Sequence, residues 1–168
     1  ADIGLNMCAI TLLYKEGYFK QRIDDDGNQT ETYPKFDPYP LLDKLDLTFK
    51  LRLRNRDVFI EVYQYKYIGI NGHELPVYFL DTDCEENFPD DKIISLRLYS
   101  GDKDHRILQE AILGFGGMKL LDALGQESIK KYHMNEGHCS FLVLDLLEKY
   151  QGDEKKVREQ CHFTTHTP

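Results

Sequence analysis

The stretch KYHMNEGHCSF, residues 131–141, decides the fold class. Its start, residues 132–134, reads as a short strand. From Cys139 the chain enters an apolar run, residues 141–150, with Leu142, Leu146 and Leu147 at the spacing of one helix face. Asn135, Glu136, Gly137 and His138 then form a loop where a strand hands over to a helix, at the strand's carboxyl end. Open α/β sheets bind ligands along that edge, and a helix start presents unpaired N–H groups suited to anionic or hydroxyl-rich ligands. Gly137 suits either a tight turn or a close approach of the backbone to a ligand. A plainer reading stands beside this one: Asn135 or Ser140 caps the helix, and the histidines fill surface or core positions.

Outward from this loop, residues 104–124 carry Ile107, Leu108, Ala111, Ile112 and Phe115, then Leu120, Leu121 and Leu124, at helical spacing. Gly125 is the stop, and this is the longest helix expected. A charged segment, QGDEKKVREQ, separates residues 141–150 from a last strand at residues 161–165. Towards the amino terminus, residues 7–14 are apolar on both faces and suit a buried strand. Asp26-Gly27 between polar arms reads as a hairpin turn, and Pro34, Pro38 and Pro40 break regular structure. LDLTFKLRL, residues 45–53, alternates apolar and polar without error. A second β-rich run, residues 58–68, leads through Asn71-Gly72 into LPVYFL as another hairpin. Strands and helices alternating at short intervals predict an α/β fold built of parallel βαβ units, with β-hairpin material over about residues 18–80 as an insertion on one edge.

Composition narrows the function classes. The 168 residues, 41% hydrophobic, suffice for one sizeable core, and 29 acidic against 21 basic side chains leave a net charge of -8, which opposes binding to nucleic acid or anionic lipid. Four cysteines lie far apart with no CxxC pair, and no apolar run has membrane length, so reduced thiols in the cytoplasm are expected. The chain opens without methionine and closes on CHFTTHTP inside a strand-like run, so a piece of a longer protein is expected.

Other motifs each carry a second reading. FTTHTP would again leave the carboxyl end of a strand, so His166 and its threonines could face the same ligand as the loop at residues 135–138. Equally, the threonines are ordinary strand formers and His166 an exposed loop residue. His133, His138, His162, His166 and Glu136 are metal-ligand types, yet HEXXH and a helical i, i+4 histidine pair are missing, so no metal is expected. Asp81-Thr82-Asp83 is a DxD pattern that reads more simply as a solvated turn after a strand. GFGG, residues 114–117, fails the dinucleotide fingerprint because Lys119 stands where a third glycine is needed. Close helix packing is the simpler account. Tyr14, Tyr18, Tyr63, Tyr65 and Tyr67 could stack on sugar faces or serve as ordinary strand residues.

Five blocks in order, LLYKEGYFKQRID, YFLDTDCEEN, RLYSGDKDHRILQEAILGFGG, YHMNEGHCSF and FTTHTP, resemble the α-glucan phosphorylases, most closely their short bacterial and archaeal branch. The resemblance covers nearly the whole chain. It implies part of the Rossmann-like amino-terminal domain of a two-domain GT-B glycosyltransferase, with the carboxyl-terminal domain absent from this chain. The implied reaction uses inorganic phosphate to release glucose 1-phosphate from the terminal α-1,4-linked glucose of glycogen, starch or maltodextrin, with retained configuration. The implied cofactor is pyridoxal phosphate, held as a Schiff base by a lysine of that other domain. By the same resemblance NEGH lines the glucose subsite, giving Asn135, Glu136 and His138 as substrate-binding residues with Thr165. His166 becomes the residue that touches the reacting glucose. The implied parent is a cytoplasmic homo-oligomer, and the 168 residues alone are expected to be inactive. Two alternatives from the residues themselves are a non-catalytic carbohydrate-binding or regulatory module and a metal-dependent hydrolase.

Overall fold

The computed structural model describes residues 1–98, 101–126 and 128–166. In chain order it contains β1 (Ala9–Leu12), β2 (Lys20–Ile23), β3 (Gln29–Thr32), β4 (Asp43–Leu53), β5 (Arg56–Ile68) and β6 (Glu74–Asp81). A one-turn helix α1 (Pro89–Lys92) and α2 (Lys103–Ala111) follow. A π-helical turn at Ile112–Gly116 then joins α2 to α3 (Gly117–Ala123). The chain continues through β7 (Tyr132–Asn135), α4 (Leu142–Lys149), α5 (Glu154–Gln160) and β8 (Cys161–Thr164).

One four-stranded sheet has the order β1-β6-β5-β4, with β1 parallel to β6 and the other pairs antiparallel. Both expected hairpins form: β2 pairs with β3, and β5 with β6 across the Asn71-Gly72 turn. The expected βαβ arrangement appears in β7 and β8, which pair in parallel with α4 and α5 between them. These two strands form a sheet of their own, whereas β1 takes β6 as its parallel neighbour.

Alternation explains which face of the large sheet is buried. Val58, Ile60 and Val62 recur at every second position of β5 and are fully buried together with Leu80 of β6. Against them lie Leu108, Ile112 and Leu120 of the long helical run. Each such aliphatic side chain contributes about 1.5–3 kcal/mol by leaving water. A second core joins Met118 and Leu121 of α3 to Tyr132 and Met134 of β7, Leu142 and Leu146 of α4, and Val157 of α5. Cys8 and Ile10 pack against both clusters, so β1 and the helical run tie the two cores together.

The long helix runs where its periodicity places it, although Ile107 of the expected apolar stripe is half exposed. It ends as Gly125 predicts. Gly125 has φ +67, its N–H donates to the Asp122 carbonyl, and Gln126 N–H donates to the Leu121 carbonyl, the paired bonds of a glycine-terminated helix. The π turn coincides with GFGG. A Cβ on Gly114 would lie 2.7 Å from Phe141 Cβ and 2.9 Å from the Leu142 nitrogen. The glycine therefore permits contact between the helix and the chain entering α4, and Phe115 stacks on Phe141 at 5.2 Å between ring centres.

Two local expectations are corrected. Within the charged segment at residues 151–160, Glu154–Gln160 folds as α5: the Asp153 carboxylate accepts from Lys156 N–H at 3.0 Å as an N-cap, and Val157 anchors the helix in the second core. The Asp81-Thr82-Asp83 turn is not solvated at its first two residues, both 0% exposed. Asp81 accepts hydrogen bonds from Tyr39 Oη at 2.7 Å and Ser95 Oγ at 3.0 Å, and pairs with Lys15 Nζ at 3.2 Å. Burial and the adjacent Asp81 carboxylate raise the Tyr39 pKa well above the ordinary phenol range, so Tyr39 remains a donor. This carboxylate collects donors from three distant segments at the end of β6.

Two stability outcomes follow from these contacts. G114A forces Phe141 and Leu142 to move and destabilises by about 1–3 kcal/mol in denaturant unfolding; a midpoint equal to that of the unmodified chain contradicts the close approach. D81A removes the buried acceptor shared by Tyr39, Ser95 and Lys15 and costs more than about 2 kcal/mol, read as a lowered urea midpoint.

Candidate functional site

The site begins with the pairing of β7 and β8. Their register sets Tyr132 opposite Cys161, His133 opposite His162, Met134 opposite Phe163 and Asn135 opposite Thr164. Tyr132 and Met134 turn into the core while His133 and Asn135 face outward. Both strands run the same way, so their carboxyl ends emerge side by side. The loop after Asn135 and the segment after Thr164 are thereby neighbours, although about 30 residues separate them in sequence.

Hydrogen bonds extend the pairing past the strands. Glu136 N–H donates to the Thr164 carbonyl at 2.8 Å. The Glu136 carboxylate accepts from the Thr165 hydroxyl through Oε2 at 3.3 Å and from His166 N–H through Oε1. His166 Nε2 lies 2.9 Å from Asn135 Oδ1, and His133 Nε2 lies 2.8 Å from Thr164 Oγ1. Four of the five residues expected to meet substrate, Asn135, Glu136, Thr165 and His166, thus form one hydrogen-bonded group. The last two residues of FTTHTP, Thr167 and Pro168, lie outside the described residues.

The turn is made differently from the expectation. Glu136, not Gly137, has the positive φ, at φ 60 and ψ -170. This is backbone that glycine adopts freely and other residues occupy at a cost of about 1–3 kcal/mol each. A 3₁₀ turn at Gly137–Cys139 follows, so Cys139 does not itself begin the helix, and α4, Leu142–Lys149, lies within the helical run expected at residues 141–150. The residue at the start of α4 is Phe141, with no side-chain cap.

His138, on the 3₁₀ turn, lines a small cavity of about 30 Å³ with Tyr14, Arg106, Gln109 and Glu110. Sequence reading named Tyr14 only as one of several tyrosines and passed over the other three lining residues. The available signal was Gln109, a polar side chain that is nonetheless buried in α2, with Nε2 donating to the carbonyls of Ile94 at 2.8 Å and Arg97 at 3.0 Å.

Electrostatics restrict the chemistry. Burial raises the pKa of Cys139 and of Cys161, so both are thiols at neutral pH rather than nucleophilic thiolates. The Tyr132 phenol is pushed up to about 12, mainly by burial. Among the described residues no three His, Cys, Asp or Glu side chains are grouped to hold a metal ion. What the rim offers is a set of hydroxyl, amide, imidazole and carboxylate groups suited to hydrogen bonding with a hydroxyl-rich ligand.

No family model matches the chain. The chain is 37% identical to the maltodextrin phosphorylase of Thermococcus litoralis over 182 aligned positions, which span all of this chain and 21% of that protein. It is 33% identical to the glycogen phosphorylase of Mycobacterium tuberculosis, again over its full length and 21% of the relative. With the glycogen phosphorylase of Aquifex aeolicus it shares 36% identity over its full length and 25% of the relative. The chain thus spans about a fifth to a quarter of the length of the curated relatives it matches. Over its full length the chain is thus similar to a part of the maltodextrin and glycogen phosphorylases, as a fragment of such a phosphorylase would be.

Proposed function

We propose that these residues form part of an α-glucan phosphorylase with the Rossmann-like GT-B architecture, and that the rim at the ends of β7 and β8 holds the glucose unit being removed. The observation that supports this best is the hydrogen-bonded group of Asn135, Glu136, Thr165 and His166. In the proposed reaction the bond between C1 and the glycosidic oxygen breaks, an oxygen of hydrogen phosphate bonds to C1, and the leaving oxygen takes the proton that the phosphate gives up. His166 touches the reacting glucose. Thr165 and the loop at residues 135–138 complete its subsite, and His138 faces it from the neighbouring cavity.

Hydrolases of glycosidic bonds usually need two carboxyl groups in separate roles. The residues assigned here include one carboxylate, Glu136, already engaged by His166 N–H and the Thr165 hydroxyl. Such a site contributes by orienting the sugar through hydrogen bonds fixed before reaction, which suits transfer to phosphate. Pyridoxal phosphate, the cofactor the resemblance implies, is assigned to a lysine outside these residues. Among the described residues no helix is long and apolar enough to cross a membrane. With α-1,4-glucan and phosphate as substrates, we place the enzyme in the cytoplasm as a homo-oligomer.

The test is phosphate-dependent release of glucose 1-phosphate from maltodextrin by the intact protein. H166A is expected to lower kcat/KM by about 100-fold or more with an unchanged circular dichroism spectrum. Unimpaired turnover in H166A removes that residue from the reaction, and absence of any glucose 1-phosphate from the unmodified protein removes the phosphorylase reading.

A further inference from the structure

We propose that Asn135 and Glu136 are positioning residues that act through His166: Asn135 fixes the proton on its ring, and Glu136 fixes its main chain. What His166 then does rests on the phosphorylase reading; the clamp itself does not. Its starting point is the backbone of Glu136. A chain that needed only a turn here would place glycine at φ 60, and a glycine stands one position later, at Gly137, where φ is not positive. The strained position instead carries a long carboxylate. That side chain reaches across to the exit of the neighbouring strand, where it accepts from the Thr165 hydroxyl and from His166 N–H. Strained backbone persists where surrounding contacts over-determine it, and the Glu136 N–H bond to the Thr164 carbonyl supplies a third tie across the same gap.

Asn135 completes the clamp from the preceding position. Its Oδ1, 2.9 Å from His166 Nε2, accepts hydrogen bonds and cannot donate one. Nε2 therefore carries the hydrogen, and in the neutral ring Nδ1 is the acceptor. With the ring and the main chain both held, His166 offers a fixed acceptor to a donor such as a ligand hydroxyl. Neither Asn135 nor Glu136 needs to touch the ligand to have this effect.

Long-range proton–nitrogen NMR of the intact protein labelled with ¹⁵N-histidine, at about pH 8.5 and thus above the ordinary histidine range, reads the tautomer directly. The unmodified protein is expected to show His166 protonated at Nε2. N135D keeps the acceptor and the tautomer, whereas N135L loses the bias. An Nδ1–H ring in the unmodified protein, or a tautomer unchanged in N135L, overturns the role of Asn135. For Glu136 the measurement is thermal unfolding: E136A keeps the strained backbone and loses the clamp, so its Tm falls below that of the unmodified protein, while E136G, which also sheds the strain, lies above E136A. An E136A value equal to that of the unmodified protein overturns the clamp, and equal values for the two variants, or the reverse order, overturn the strain. In the glucose 1-phosphate assay N135L is expected to lose about 10–100-fold in kcat/KM, with N135D recovering most of it. If the NMR and Tm results hold while the unmodified protein makes no glucose 1-phosphate, the clamp stands and the phosphorylase reading falls.

Discussion

The parallel register of β7 and β8 is the constraint on which the rest of the site depends. Setting Asn135 opposite Thr164 brings two polar segments out at the same edge, so that a carboxylate from one can take the N–H of the other. A slip of one residue would turn Asn135 and His133 into the core and expel Tyr132 and Met134, exchanging a polar rim for an apolar one. The second core opposes such a slip, because Tyr132 and Met134 are already packed against Met118, Leu142 and Leu146. Core packing and site geometry are therefore consequences of the same alternation along four residues.

The long helical run carries that constraint to the rest of the molecule. One side packs through Ile112 and Leu120 on the large sheet, and another packs through Met118 and Leu121 on the small one. Its π turn lies where the helix must meet both the sheet and the chain entering α4: Gly116 approaches Leu80, and Gly114 approaches Phe141 and Leu142. Extra backbone turns of this kind recur near functional sites because they re-aim a helix without ending it. Here the turn seats the segment that immediately follows the polar loop. At the end of β6, Asp81 gathers Lys15, Tyr39 and Ser95 from three segments distant in sequence.

Much of this was legible in the sequence, for identifiable reasons. Strict alternation marked β4, β-rich composition marked β5, Asn71-Gly72 and Asp26-Gly27 marked the hairpins, and the helical stripe ending at Gly125 marked the longest helix. The polar loop at the end of β7 was visible as a strand-to-helix junction. Residue types alone left its meaning open, and only the five ordered blocks singled out His166 and its neighbours. Four features were not legible. The α5 segment has one buried apolar residue, Val157, too few for a period to show. The burial of Asp81 depends on donors 14 to 66 residues away, which no local pattern reports. The choice of β6 as neighbour of β1 is a matter of tertiary packing. Finally, Gly137 drew attention from Glu136, where a side-chain interaction overrides the backbone preference that would favour glycine.

An acidic chain with no grouped metal ligands among its described residues still presents amide, imidazole, hydroxyl and carboxylate groups at one edge, held by one another before any ligand arrives. The central claim is that the segments after β7 and β8 act together on one sugar. The most direct measurement is a crystal structure of the intact protein with glucose 1-phosphate bound. The account predicts the glucose ring within hydrogen-bonding distance of His166 and of the loop at residues 135–138 at once. A sugar bound with both segments beyond contact, or touching only one of them, contradicts it.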